Sequence, residues 1–171
     1  LLDQAARGAP WAEGQGRLIL VSSAVPGEGK TFCAINLALS IAMEVNTQVV
    51  LVDADAARPA VCDRLGLAAE RGLMDLLTDP GLDPDEVVLD TNVPQLAVLP
   101  CGSAHARSHE LFASPAMRTL LHRLASRRPH PVVVLDAPAL LVATEAAALA
   151  DAVGQVVLVV EAGRTPRRWV E

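Results

Sequence analysis

The chain has no tyrosine, and its aromatic residues are limited to two Phe and two Trp among 171 residues. A core without aromatic bulk must be filled by Val, Leu, Ile and Ala, which suits buried parallel strands covered by Ala-rich helices. Lysine is as scarce: Lys30 stands alone beside thirteen arginines. The Ala- and Arg-heavy composition indicates a coding bias toward Arg wherever either cation would serve. A retained lysine therefore marks a place that needs a compact ammonium and not a wide planar guanidinium. Cysteine is confined to Cys33, Cys62 and Cys101, an odd number with no metal-ligand spacing. These read as reduced, mostly buried small residues of a cytosolic protein. No apolar run approaches the ~20 residues needed to span a bilayer, and the polar, Ala/Gly-rich start has no signal-peptide pattern. Excess positive charge is missing too: the net charge is −6, which excludes a general nucleic-acid-coating role and predicts no nucleic-acid partner.

What is present is a chain of one-domain length, half of it hydrophobic, with strands and helices in alternation. Residues 1–16 read as a weakly patterned lead-in segment. Strands are predicted at 17–22, 48–52, 96–99, 132–135 and 155–160, with a further candidate at 87–89. Helices are predicted at 31–45, 59–65, from Gly72 onward, at 114–127 and at 144–149. Ser114 is the expected cap of the fourth helix, Pro115 its first turn, and Arg123 to Arg128 its basic end. Thr144 is the expected cap of the last. Glu110 reads as a helix-start residue. The first residue is not Met, and the last three resemble an unfinished helix, so the chain is expected to be part of a longer one, cut at both ends. Near-continuous apolar strands alternating with helices predict an α/β fold, an open parallel sheet with helices on both faces. Ligands of such sheets bind at the carboxyl ends of the strands.

Three motifs fall on that edge. Ala24-Val25-Pro26-Gly27-Glu28-Gly29-Lys30-Thr31 follows an apolar strand and opens a helix, the layout of a phosphate-binding loop, with Ala24 in place of the usual first glycine. Gly27 and Gly29 let the backbone turn its N–H groups inward, and the helix start adds partial positive charge. Lys30 is placed to reach the β- and γ-phosphates and Thr31 to ligate Mg²⁺. The second motif is Asp53 and Asp55 at the end of a buried strand, where paired carboxylates call for a cation. The third is Asp136 at the end of Val132-Val133-Val134-Leu135. One carboxylate would orient the metal or its water and another would accept a proton from an incoming hydroxyl. Arg58, Arg64, Arg71 and Arg164 are candidates for contact with phosphate or a partner's acidic segment, although solvated surface pairing is the commoner fate of such residues.

Together these motifs resemble the bacterial tyrosine kinases that control exopolysaccharide export. That family joins a Pro-Gly-Glu-Gly-Lys-Ser/Thr loop to an Asp-x-Asp motif and a further strand ending in Asp. Gly72-Leu73-Met74-Asp75-Leu76-Leu77 is similar to its Gly-Leu-x-Asp-Leu-Leu segment. Leu99-Pro100-Cys101-Gly102 and Glu110-Leu111-Phe112-Ala113-Ser114 are similar to its Leu-Pro-x-Gly and Glu-Leu-Leu-x-Ser segments, and 154–166 resembles the exosortase-associated subgroup. The likeness spans roughly 17–168. It implies a P-loop NTPase-type sheet of the MinD/ParA-like branch over a kinase domain at 17–171. It also implies an ATP- and Mg²⁺-dependent autokinase that phosphorylates tyrosines in the C-terminal tail of a neighbouring subunit of a ring. A membrane-embedded polysaccharide co-polymerase, fused or separate, would activate it, holding it in the cytoplasm at the inner membrane. Pro26, Gly27, Glu28, Gly29, Lys30, Thr31 and Phe32 would bind the nucleotide. Thr31, Asp53 and Asp136 would hold the metal, with Asp53 nearest the acceptor and Asp55 its partner. The family's Arg two residues after the second Asp is Ala57 here, with Arg58 following, and Ala139 replaces a proline. Without tyrosine, this chain cannot phosphorylate itself on that residue.

Two rival readings stand beside this one. ParA/MinD-type ATPases share the fold but use a second lysine early in the loop, where this chain has Ala24-Val25-Pro26. A non-catalytic ATP-binding regulatory module of a polysaccharide export system would need the same loop without transfer.

Overall fold

In the computed structural model, which describes residues 15–127 and 129–170, the chain runs β1 (Leu18–Ser23), α1 (Lys30–Ala42), β2 (Val49–Asp53), α2 (Val61–Leu65), α3 (Leu73–Thr78), β3 (Leu89–Asp90), β4 (Leu96–Leu99), α4 (Ser108–Phe112), α5 (Pro115–Ala125), β5 (Val132–Asp136), α6 (Thr144–Ala150) and β6 (Gln155–Val159). Residues 1–14 of the expected lead-in segment, Arg128 of the expected basic helix end, and Glu171 lie outside the described residues.

The strands form one sheet in the order β3-β4-β2-β5-β1-β6, parallel throughout except for the short antiparallel β3. β1, β2 and β5 are buried at every position. The period-2 alternation of a strand divides their side chains between two cores. Leu18, Leu20, Val50, Val52, Val133 and Leu135 face one layer, where Leu73, Met117, Leu121, Leu124 and Leu149 cover them. Ile19, Val21, Val49, Leu51, Val132 and Val134 face the other, against Ala34, Ile35, Ala38 and Ile41 of α1. The small residues of α1 let its backbone lie close on the sheet. The expected sheet with helices on both faces is the observed one.

Local chemistry explains the differences at the edges. Ser114 caps α5 as expected, its Oγ accepting from Met117 N at 3.3 Å. Thr144 does not cap α6: Ala143 occupies that position without a side-chain bond, and Thr144 is already the first helical residue. The strand candidate at 87–89 shrinks to Leu89–Asp90, because Asp83 and Pro84 start a 3-10 turn at Pro84–Glu86. Asp83 Oδ1 accepts from Asp85 N at 2.9 Å there. Glu110 lies in the first turn of α4.

Two segments singled out in the sequence meet in one joint. Leu73 N and Met74 N donate to the carbonyls of Pro100 and Cys101 at 2.8 and 2.9 Å. Asp75 Oδ2 accepts from Gly72 N at 2.8 Å and Ser103 N at 3.1 Å. Burial alone would raise the Asp75 carboxyl, but these donors hold it below the usual range. A Cβ on Gly102 would stand 2.5 Å from Gly72 N, and Gly102 has φ +81°. Both contact and conformation exclude a larger residue, so Gly102→Ala is expected to destabilise the protein by ~2–4 kcal/mol. Urea unfolding followed by circular dichroism measures this, and an unchanged midpoint would show that the joint relaxes freely.

Candidate active site

The loop between β1 and α1 carries Gly27 and Gly29, both at φ +91°. This left-handed backbone is strained for any residue with a Cβ and turns successive N–H groups to one side. Gly29 is the N-cap of α1 and makes no side-chain cap bond, so the first amides of the helix are available to an anion. Lys30 and Thr31 are the first two helical residues, and Thr31 is only 7% exposed.

The carboxylates reach the same place because β2 and β5 are adjacent and in register. Asp53 is paired with Asp136 across the two strands, and Asp136 with Val21 of β1. Ala54 N donates to the Asp136 carbonyl at 2.8 Å, which ties the two strand ends together. Lys30 Nζ lies 2.7 Å from Asp55 Oδ2 and 3.9 Å from Asp136 Oδ1.

The three carboxylates differ in their surroundings. Asp53 accepts from Asp55 N at 3.3 Å, and from Ala60 N and Val61 N at 2.9 and 3.0 Å. It therefore holds the N-terminus of α2. Burial still raises its pKa against those bonds, and the charge of Asp55 adds to the rise. Asp55 accepts from Arg58 N at 3.1 Å and faces Lys30. Asp136 is fully buried, and neither of its oxygens has a hydrogen-bond partner. Burial pushes it up to about 6, opposed by the nearby Thr31 hydroxyl and Lys30 ammonium and reinforced by Asp53 and Asp55. A buried carboxylate without donors is a costly arrangement unless a cation completes it.

Of the residues expected at the site, Pro26, Gly27, Gly29, Lys30, Thr31, Phe32 and Asp55 line one cavity of about 560 Å³. Asp53 borders a smaller one, about 190 Å³, with Cys62 and Cys101. Glu28 is in the loop, but its carboxylate is occupied elsewhere. Oε2 accepts from Val25 N at 2.7 Å. Oε1 accepts from Glu161 N at 3.0 Å and from the Thr165 hydroxyl. It ties the loop to the segment after β6. Sequence inspection missed this latch, since a charged residue within a glycine turn reads as facing the ligand. Arg64 and Glu145 also line the large cavity. The nearby motif gave Arg64 a signal, whereas Glu145 had none.

No protein-family model matches the chain. The chain is 36% identical over 162 residues to the succinoglycan biosynthesis transport protein ExoP of Rhizobium meliloti (strain 1021), covering 93% of this chain and 20% of ExoP. It is 30% identical over 153 residues to the tyrosine-protein kinase YwqD of Bacillus subtilis (strain 168), covering 90% of this chain and 63% of YwqD. The crystal structure of the VpsO kinase domain superposes with a TM-score of 0.82 at 30% identity, covering 90% of this chain and 73% of that one. The chain belongs to the bacterial tyrosine kinase family. Its fold is also similar to that of a MinD protein. The MinD protein of Pyrococcus horikoshii OT3, complexed with Mg-ADP, matches with a TM-score of 0.67 at 22% identity over 84% of this chain.

In this family member the Glu28 latch has a pH signature. Burial acts to raise the Glu28 carboxyl, but the Thr165, Val25 and Glu161 donors hold it below its ordinary value of 4.5. A depressed carboxyl contributes stability above that value, and the contribution is lost as pH falls below it. Glu28→Gln is expected to lower stability at pH 7 by ~1–2 kcal/mol. Its Tm deficit should shrink below pH 4.5, and a pH-independent deficit would contradict the latch.

Proposed function

We propose that this chain is the catalytic domain of an ATP- and Mg²⁺-dependent protein-tyrosine kinase of an exopolysaccharide export system. The observation that carries the proposal is Lys30 set against Asp55 in a phosphate-loop cavity, with Asp136, whose oxygens have no hydrogen-bond partner, 3.9 Å from the same ammonium. One ammonium cannot balance three buried carboxylates, and a triphosphate would add further negative charge. The donor set suits a divalent cation of hard oxygen preference: a hydroxyl at Thr31 and a bare carboxylate at Asp136. Mg²⁺ held by Thr31 and Asp136, with Asp53 beside them, would neutralise charge on the transferring phosphoryl group.

The protein's own residues do the rest. The 27–31 backbone and Lys30 hold and orient the phosphates. Asp53 fixes the ends of β2 and α2, and Asp55 faces the cavity where an acceptor hydroxyl enters. In the transfer, the tyrosine oxygen bonds the γ-phosphorus and the bond to the β,γ-bridging oxygen breaks. ADP leaves with that electron pair, and the tyrosine proton passes to Asp55. The acceptor tyrosine lies outside these 171 residues, which contain none. The 17–171 region acts as a single kinase domain in the cytoplasm. It docks on a polysaccharide co-polymerase-type membrane activator and forms a ring with further subunits whose tails carry the tyrosines. The exopolysaccharide assignment rests on the relationship to ExoP, a succinoglycan biosynthesis transport protein.

Incubation with ATP, Mg²⁺ and a tyrosine-rich peptide tests the proposal by phosphotyrosine detection. Transfer is expected, and Lys30→Met should reduce it by about a hundredfold or more. Tight ATP binding without transfer would assign the chain to a regulatory module instead.

A further inference from the structure

Acidic residues outnumber basic ones by 20 to 14, and five arginines are matched to a carboxylate. Arg71 pairs with Glu86, Arg107 with Glu110, Arg123 with Asp83, Arg127 with Asp85 and Arg164 with Glu161. Arg58 and Arg64 have no carboxylate partner among the described residues, and both line the phosphate-loop cavity. Arg118 and Arg168 are also unmatched but lie outside that lining. Guanidinia left free at a site, in a chain with acid to spare, are available to an external anion.

The backbone that carries the two arginines is held by Asp53 at the end of β2 and by Asp55 just beyond it. Arg58 N donates to the Asp55 carbonyl at 3.0 Å and to its Oδ1 at 3.1 Å, so the turn around Asp55 sets where Arg58 starts. Arg64 belongs to α2, whose first amides bond Asp53. The loop amides and Lys30 of α1 would serve the phosphates, whereas Arg58 and Arg64 come from a different wall, built by the turn after β2 and by α2. Glu145 and Asp55, also in the lining, repel an anion from their own sides. The cavity also exposes apolar surface: Phe32 and Val142 line it and are each 63% exposed. An apolar surface beside two free guanidinia is complementary to an aromatic ring with an anion next to it.

We propose that this wall is the acceptor subsite and selects a tyrosine flanked by an anionic residue, either Asp/Glu or a tyrosine already phosphorylated. The ring packs on Phe32 and Val142, its hydroxyl faces Asp55, and the flanking anion pairs with Arg58 and Arg64. This rests on the kinase assignment for the role of the tyrosine, but the anion selection is measurable without transfer.

Fluorescence anisotropy on the protein loaded with Mg²⁺ and a non-hydrolysable ATP analogue would compare peptides with one acceptor tyrosine flanked by Glu, by phosphotyrosine or by Gln. The two anionic peptides are expected to bind about fivefold tighter than the Gln peptide, and the relative strength of the Glu and phosphotyrosine arms identifies the preferred anion. Arg58→Gln with Arg64→Gln should erase the preference, and Arg64→Glu should shift it toward a Lys-flanked peptide, a reversal that loss of structure would not produce. Equal binding of all three peptides by the wild type would overturn the subsite. So would a preference that survives the double substitution, or a fall in nucleotide affinity with the peptide ratio unchanged. Transfer measured on the same peptides separates the two claims: preference without transfer sinks the kinase assignment and leaves the subsite standing, whereas transfer without preference does the reverse.

Discussion

Charge balance at the carboxyl ends of three parallel strands is the constraint on which this structure turns. Register alone brings Asp53 beside Asp136, and the β1-to-α1 turn brings Lys30 over both strands. Asp53 is resolved by backbone amides and Asp55 by the ammonium. Asp136 has no backbone amide and only the ammonium at 3.9 Å, and it is fully buried. The fold therefore gathers three buried carboxylates at this edge against one lysine, and on the proposed function ligand binding relieves that deficit. Lys30 has two tasks that compete: it neutralises Asp55 when alone and would serve the phosphates when they arrive. A guanidinium would satisfy the first task more broadly but fit the second less well, which accounts for the survival of one lysine among thirteen arginines.

The surrounding architecture supports that edge. The two aliphatic cores clamp β1, β2 and β5 on both faces, so the strand ends have little freedom to move apart and dilute the charge. Glu28 braces the phosphate loop from behind through Glu161 and Thr165. Asp75 fastens α3 to the segment after β4. Each of these carboxylates is held by donors and stays ionised, in contrast to Asp136, whose pKa is raised.

The central strands and α1 were legible in the sequence because burial on both faces writes continuous apolar runs, and the phosphate loop because its glycines and lysine have a narrow chemical purpose. Ser114-Pro115 announced a helix start for the same reason. The edges were harder. The turn that Asp83 and Pro84 start runs up to the apolar residues 87–89, which suggested a strand, and leaves only Leu89–Asp90 to pair. Thr144 has capping chemistry but lies one residue inside the helix, a distinction only backbone angles make. Within the site, residue types identified the three aspartates but not their division of labour. That depends on which amides reach Asp53 from α2, seven and eight residues along the chain. The latch of Glu28 to Thr165 spans 137 residues and leaves no local pattern to find.

The charge deficit at Asp136 is tested most directly by titrating ATP calorimetrically into the wild type and Asp136→Asn, each in saturating Mg²⁺ and in EDTA. The wild type is predicted to bind ATP at least about tenfold more tightly with Mg²⁺, and Asp136→Asn to lose most of that dependence. Equal affinities for the wild type with and without Mg²⁺, or an undiminished Mg²⁺ dependence in Asp136→Asn, would contradict the deficit as the feature around which the site is built.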